Sequence, residues 1–179
     1  MTTNVNGPPY IPDSPYVMDN VGEFKDELTA LLAISRVRRY QNGQIIYAQG
    51  ERSRYFYFVG QGKVKISIFR ENGSEKILAI QENNTFLGES GAFDRFPYFA
   101  TATALEDSDI HIIGIRETED LITRTPRVSL LIITAIIRKL RLLGLQVQDL
   151  SFLDAQKRVI HILLKLMQEV GEPADHGIL

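Results

Sequence analysis

The stretch YFYFVGQGKVKISIF, residues 55–69, decides the fold class. Two runs of β-branched and aromatic residues flank a Gly-Gln-Gly turn, which is the composition of strands interrupted by a tight change of direction. In the second run Val64, Ile66 and Ile68 alternate with polar residues, and this period of two predicts a strand with one buried face. The stretch therefore predicts two strands in succession with no helix between them.

The same pattern of short β-branched and aromatic runs separated by turn residues extends on both sides, from residue 37 to residue 115. Asn42-Gly43 precedes a short apolar run at residues 45–47. Asn72-Gly73 predicts a hairpin between residues 66–69 and 76–80, because both residues tolerate the positive φ of tight hairpin turns. Two further strands are predicted at residues 101–105 and 110–115. About eight strands without intervening helices cannot form a parallel α/β sheet, so we predict a mainly β fold with flanking helices, a jelly roll (double-stranded β-helix) or the related sandwich.

The segments around this β region have different compositions. Four prolines fall within residues 1–21, and this spacing predicts an extended arm. Phe24, Leu28 and Leu31 recur at helical spacing, which predicts a short helix within residues 22–35. Residues 117–124 predict another short helix, which ends before Pro126. We expect residues 22–125 to form one β-roll domain.

A longer helix follows at residues 126–152. Its apolar residues are spaced alternately by three and four, as at the a and d positions of a coiled coil: Ile133, Ile136, Leu140, Leu143, Val147 and Leu150. The helix carries further apolar residues, too many for one buried stripe. One alternative is that the helix only packs on its own roll. We predict instead that one face covers the roll and the other pairs with a second copy in a symmetric homodimer.

Residues 153–179 begin with Asp154, whose short carboxylate suits the N-cap of a new helix. Val159, Ile160 and Leu163 continue that helix, and Gly171 with Pro173 predicts its end.

The composition restricts the function classes. The 179 residues carry a net charge of −2 and no cysteine, so the chain lacks the basic balance of a folded nucleic-acid binder as well as disulfides and thiolate metal ligands. The longest apolar stretch, residues 128–137, is half the ~20 residues of a spanning helix. We predict a cytoplasmic protein with no membrane partner.

Catalysis is also disfavoured. The chain has three histidines, His111, His161 and His176, and none belongs to the His-x-His pair of a metal-dependent cupin enzyme. No Ser-His-Asp layout and no phosphate-binding loop is present. We therefore predict no enzymatic activity, no metal and no cofactor, with a cupin-type enzyme the least favoured alternative.

Several glycine-punctuated motifs resemble the sensor half of the Crp/Fnr transcription regulators. They are residues 39–46, Gly50-Glu51, residues 56–59, residues 62–65 and Gly88-Glu89. Residues 151–154, followed by Arg158-Val159-Ile160, are similar to the hinge and first helix of that family's DNA-binding domain. The resemblance covers roughly residues 36–170.

The resemblance implies a homodimer that binds a small-molecule effector between the roll and the long helix. Binding would shift a hinge at Phe152, Leu153 and Asp154 and present helix-turn-helix units to DNA. The sequence stops where that helix-turn-helix would begin, so we expect a truncated regulator that would contact DNA through a domain missing from this chain.

The resemblance also implies an effector site. It comprises Gly88, Glu89, Ser90, Tyr98, Phe99, Thr101 and Leu143. Family members that bind cyclic AMP have an arginine for the cyclic phosphate where Tyr98 or Phe99 stands here, and a phenol cannot supply that bidentate cation. Leu143-Gly144 replaces the polar pair directed at the adenine. We therefore predict an aromatic or other non-cyclic-nucleotide effector, as in members that sense halogenated phenols.

Other readings of this site stay open. Cyclic AMP binding, haem binding and regulation without an effector all occur in sequences of this kind. Each aromatic residue, Tyr98 included, is also compatible with an ordinary place in the core of the roll.

Overall fold

The structure is a computed structural model that describes residues 23–152, 159–160, 163, 173–174 and 177–178. The chain divides into two compact units, Met1–Arg138 and Lys139–Leu179. The predicted arm falls outside the described residues. The helix predicted after Asp154 falls largely outside them.

The described residues of the first unit form eight strands and three short helices. In chain order the elements are α1 (Lys25–Ala33), β1 (Arg36–Tyr40), β2 (Ile45–Tyr47), β3 (Tyr55–Gln61), β4 (Val64–Phe69), β5 (Glu75–Gln81), β6 (Thr85–Leu87), α2 (Glu89–Asp94), β7 (Thr101–Ala104), β8 (Ser108–Gly114) and α3 (Ile115–Arg124). The helix α4 (Arg127–Phe152) begins in this unit and ends in the second, which also contains the short pair β9 (Pro173–Ala174) and β10 (Gly177–Ile178).

The eight strands form two antiparallel sheets with the orders β1-β8-β3-β6 and β2-β7-β4-β5. Consecutive strands β3 and β4 lie in different sheets, and the chain passes between them at Gly62, which has a φ of +113°. A side chain at Gly62 would collide with Ser108 at the start of β8, so only glycine fits there. Together with the solved structures compared below, this topology confirms the predicted jelly roll.

The predicted hairpin is present as β4 paired with β5, but its turn differs in detail. Only Gly73 takes a positive φ, of +79°, and the turn spans Arg70 to Ser74. The Asn72 side chain accepts a hydrogen bond of 3.0 Å from the Ser74 amide, which closes the turn locally. The strand predicted at residues 110–115 also differs at its end, because Ile115 is the first residue of α3 and does not end a strand.

Two apolar cores lie on opposite faces of the first sheet, because successive residues of a strand point to opposite sides. On β3, Phe56 and Phe58 pack with the helices, whereas Tyr57 and Val59 point between the sheets. The helix-side core includes Leu31 of α1 and the α4 residues Val128, Leu131, Ile132 and Ala135. The early part of α4 therefore packs on the roll, as the sequence predicts.

Candidate functional site

The predicted effector segment follows β6 and forms a turn into α2. Gly88 adopts a left-handed conformation with a φ of +70°, and Glu89 is the first residue of α2. Glu89 is buried despite its carboxyl group. Arg95 ends α2 in a second left-handed conformation, with a φ of 64°. The six-residue helix thus lies between two sharp reversals of the backbone.

Three tyrosines gather beside this turn, and we call Tyr47, Tyr57 and Tyr98 the tyrosine cluster. The rings of Tyr47 and Tyr98 stack with their centroids 4.2 Å apart, and those of Tyr47 and Tyr57 with centroids 5.2 Å apart. All three side chains are buried between the two sheets. They come from β2, β3 and the segment before β7, so the fold assembles the cluster from distant parts of the chain.

Hydrogen bonds connect two of these phenols in a defined direction. The hydroxyl of Tyr98 donates to the main-chain carbonyl of Tyr55 at 2.6 Å. Because a phenol has one hydrogen to donate, Tyr57 must be the donor in its hydrogen bond with Tyr98. The result is a relay from Tyr57 to Tyr98 to the Tyr55 carbonyl.

The electrostatics of the cluster favour neutral phenols. Burial raises the pKa of Tyr47, and the negative charge of Glu89 raises it further. Burial also raises the pKa of Tyr57, and its hydrogen bond to Tyr98 adds to the effect. The pKa of Tyr98 is raised by burial as well. The interior of the roll therefore presents aromatic faces and hydroxyl groups next to one buried carboxyl group.

Gly88 is the point at which the backbone approaches the rings. A Cβ atom at this position would lie 3.1 Å from Cε1 of Tyr98 and 3.3 Å from Cε1 of Tyr47. Such distances are tighter than ordinary van der Waals contact, so the two rings occupy the space that a side chain would need. Glycine is required here for its φ and for this contact.

The other predicted effector residues are placed differently. Ser90 is exposed on α2, and Phe99 is 62% exposed, so neither side chain joins the tyrosine cluster. Thr101 is buried, and its hydroxyl accepts a hydrogen bond of 3.0 Å from the Gln49 amide. Leu143 is exposed and belongs to the second unit. The structure thus groups Gly88, Glu89 and Tyr98.

Tyr47 and Tyr57 are site residues that the sequence analysis missed. The signal for Tyr57 is the alternation of Tyr and Phe along β3, which places its two tyrosines on the face opposite to the phenylalanines. Tyr47 ends the three-residue strand β2, which is too short to define a face.

The residues predicted for the dimer interface lie on α4. Ile133, Ile136, Leu140, Leu143 and Val147 are between 38% and 65% exposed, an unusual density of uncovered aliphatic side chains on one helix. The structure does not describe the side chain of Leu150. Of the predicted hinge, Phe152 is the last residue of α4, whereas Leu153 and Asp154 lie outside the described residues.

The described residues also bear on two other classes of site, metal centres and membrane spans. In the described ranges, His, Cys, Asp and Glu residues form no group of three or more that could hold a metal ion. Among those residues, no helix combines the length and apolar character that crossing a membrane requires.

Known proteins resemble this chain over the roll and α4. Residues 37–125 match the cyclic nucleotide-binding domain family. The cyclic AMP receptor protein of Thermus thermophilus is 31% identical over 144 residues, which are 80% of this chain and 67% of that protein. The crystal structure of the Thermus thermophilus catabolite activator protein has a TM-score of 0.65 and 30% identity, covering 88% of this chain and 72% of that one.

A third similarity concerns the fold alone. The c-di-GMP responsive regulator CLP of Xanthomonas campestris has a TM-score of 0.70 at 22% identity, covering 82% of this chain and 73% of that chain. The present chain spans about two thirds of the length of the curated relatives it matches. On the strength of the roll, its topology and these similarities, the chain belongs to the Crp/Fnr family of transcription regulators and contains that family's sensor domain.

Proposed function

We propose that this sensor binds a small aromatic ligand, other than a cyclic nucleotide, at the tyrosine cluster. The observation that carries the proposal is the tyrosine cluster itself: three stacked phenols, with the buried carboxyl group of Glu89 near enough to raise the pKa of Tyr47. A flat ligand can stack on or replace a ring of the cluster, and a ligand hydroxyl can donate to Glu89. The hydroxyl oxygens of Tyr57 and Tyr98 can also accept a hydrogen bond from such a ligand.

A cyclic phosphate would need a cation at the same place. Arg95 is the arginine of the predicted effector segment. Its side chain, however, is 81% exposed and pairs with Glu119 of α3 at 3.6 Å. Among the described residues, carboxylates and phenols are the groups whose charge or ionisation changes the pKa of Tyr47 and Tyr98. An anion beside Glu89 would therefore meet like charge, which favours a neutral or phenolic effector.

The sensor is proposed to act as part of a cytoplasmic, non-enzymatic homodimer. Its α4 residues from Ile133 to Leu150 would pair with those of a second copy, and the effector would change the hinge at Phe152, Leu153 and Asp154. DNA binding would then be controlled through a helix-turn-helix domain of the full regulator. The division into arm 1–21, roll 22–125, dimerisation helix 126–152 and DNA-binding start 153–179 belongs to this proposal. Ser90, Phe99, Thr101 and Leu143 stay predictions from the sequence and are not part of the site proposed at the tyrosine cluster.

Two alternatives have support of their own. Cyclic AMP binding is favoured by the names of relatives such as the Thermus thermophilus cyclic AMP receptor protein. Regulation without an effector is favoured by the close packing of the tyrosine cluster, whose rings already occupy the interior next to Gly88.

Thermal unfolding of the full chain with a ligand panel tests the proposal. Phenol and chlorinated phenols are expected to raise Tm by several degrees at ligand concentrations about 100 times the Kd, where binding adds about 2.7 kcal/mol to stability. Cyclic AMP is expected to leave Tm unchanged. A rise with cyclic AMP and none with phenols would overturn the proposal, and no rise with either would favour regulation without an effector.

Two variants locate the binding. Tyr47→Leu should abolish the rise caused by phenols, because it removes the central ring of the cluster. Phe99→Leu changes an exposed aromatic residue of the same segment and should preserve it. Equal loss in both variants would place the ligand elsewhere.

A further inference from the structure

A cavity lies beside the start of β3, next to the helices α2 and α3. It is a cleft of about 530 Å³ within the first unit. Its walls are the segment Arg52–Tyr55 before and at the start of β3, Arg95 at the end of α2, and residues 115–119 of α3. A volume of this size accommodates a small-molecule ligand.

The charges of this cleft differ from those of the chain as a whole. Four arginines, Arg52, Arg54, Arg95 and Arg116, line it, whereas the chain carries a net charge of −2. One of them, Arg95, is paired with Glu119 at 3.6 Å. Within residues 23–152 the other three form no ion pair and no side-chain hydrogen bond.

The two acidic residues of the cleft, Glu117 and Glu119, balance only two of its four arginines. The carboxyl group of Glu117 is folded back against Gly114 at the start of α3, where a Cβ atom would collide with it. A carboxylate in the first turn of a helix is stabilised by the helix dipole and by the free amide groups there. The arginines therefore leave an excess of positive charge facing the cleft.

Hydrogen bonds hold the arginine-bearing backbone against the other walls. The carbonyl of Arg54 accepts from the Ile115 amide at 3.2 Å. The buried Ser53 donates its hydroxyl hydrogen to the Phe96 carbonyl at 2.5 Å. Both bonds fix the segment from Arg52 to Arg54 between the residues that follow α2 and the start of α3, so a ligand need not order this backbone in order to bind.

The chemistry of the lining points to one class of ligand. Guanidinium groups form paired hydrogen bonds with phosphate and carboxylate oxygens, and several of them together select a ligand with more than one anionic group. Tyr55, whose side chain is partly exposed, and Ala92 add an apolar wall. We infer that this cleft is a binding site for a small polyanion, with two or more phosphoryl or carboxylate groups, separate from the tyrosine cluster.

The two sites share the backbone of Tyr55. Tyr55 is one of the residues that line the cleft, and its carbonyl accepts the hydrogen bond from Tyr98 in the cluster. A polyanion in the cleft would thus lie next to the effector site without entering it.

Isothermal titration of the full chain with inorganic pyrophosphate, at fixed ionic strength near 0.15 M, tests the inference. We expect saturable binding that weakens at least about tenfold in the double variant Arg52→Gln/Arg54→Gln, since two guanidinium groups that would donate to the anion are lost. The matched control Arg36→Gln/Arg70→Gln also removes two exposed arginines, on β1 and in the β4–β5 turn, and should bind within about twofold of the unchanged chain.

Titration with citrate distinguishes the two sources of the charge. Tighter binding of pyrophosphate would support a phosphorylated ligand, and tighter binding of citrate a polycarboxylate. The inference is overturned if neither anion binds saturably, or if both double variants weaken binding equally, because the attraction would then be a property of the whole surface. Circular dichroism of each variant verifies that the roll is folded.

Discussion

The hydroxyl of Tyr98 donates a hydrogen bond of 2.6 Å to the main-chain carbonyl of Tyr55, while its ring stacks on Tyr47. Tyr98→Phe keeps the ring and removes the hydroxyl, which leaves a partly buried carbonyl without this donor. We expect the free energy of unfolding to fall by about 1–3 kcal/mol, measured by urea denaturation.

The matched control for this change is Tyr55→Phe. It removes a phenol hydroxyl from a partly exposed side chain but keeps the carbonyl that Tyr98 uses. Its stability should stay within about 0.5 kcal/mol of the unchanged chain. If Tyr98→Phe were equally harmless, the relay would contribute nothing to stability.

Gly88→Ala tests the contact between the backbone and the tyrosine cluster. The substitution places a non-glycine residue in a left-handed conformation, which costs about 1–2 kcal/mol of stability. It also adds a methyl group 3.1 Å from the Tyr98 ring. Gly43→Ala is the control, because Gly43 has a φ of +82° and nothing within 4 Å of the added Cβ.

Gly88→Ala should therefore lower Tm more than Gly43→Ala does, and it alone should weaken phenol binding. Equal Tm values for the two variants would mean that the rings move aside at no cost. In that case the close approach at Gly88 would not define the site.

The sequence predicts the roll well where a run of apolar, β-branched or aromatic residues lies next to a turn or an irregular section. Strands β2, β3, β4, β5, β7 and β8 meet this condition. Strand β1 does not, because it lies at the edge of its sheet and four of its five residues are exposed, three of them arginines. Strand β6 has three residues, all buried, and is too short for any period to appear.

The candidate site was only partly accessible to sequence reasoning. Gly88, Glu89 and Tyr98 stand in one segment, so a local motif identifies them. Tyr47 and Tyr57 join them through sheet pairing and the packing of two sheets, and these contacts have no local pattern. The exposure of Phe99 also depends on tertiary structure, because its neighbour Tyr98 takes the inward position.

His111 gives a prediction about pH. Its Nδ1 lies 2.8 Å from the Ser35 hydroxyl, which already donates its hydrogen to the Leu32 carbonyl at 2.7 Å. Nδ1 must therefore carry the hydrogen that binds Ser35. Burial lowers the pKa of His111, partly opposed by Asp109.

The sign of the pH effect follows from this lowered pKa. Below about pH 6.5 the unfolded chain binds a proton at this residue that the folded chain does not, so stability falls as the pH drops through that window. His111→Gln keeps a donor for Ser35 and removes the titration. Urea denaturation at pH 7.5 and 5.5 should show a smaller loss for the variant, whereas equal losses would assign the pH dependence to other groups.

The exposed residues of α4 provide the test of dimerisation. Leu140 is 65% exposed, so Leu140→Glu should cost an isolated chain little stability. At the proposed interface it would bury a charge against a second copy, where a carboxylate without a partner is strongly unfavourable. Sedimentation equilibrium should show a dimer for the unchanged chain and a monomer for Leu140→Glu.

The neighbouring residue supplies the control for this experiment. Arg141 is exposed on the same helix but is not at an a or d position, so Arg141→Glu makes a larger change of charge outside the predicted seam. This variant should remain dimeric. Dissociation of both variants would indicate a general effect of charge, and an unchanged chain that sediments as a monomer would mean that α4 serves only its own roll.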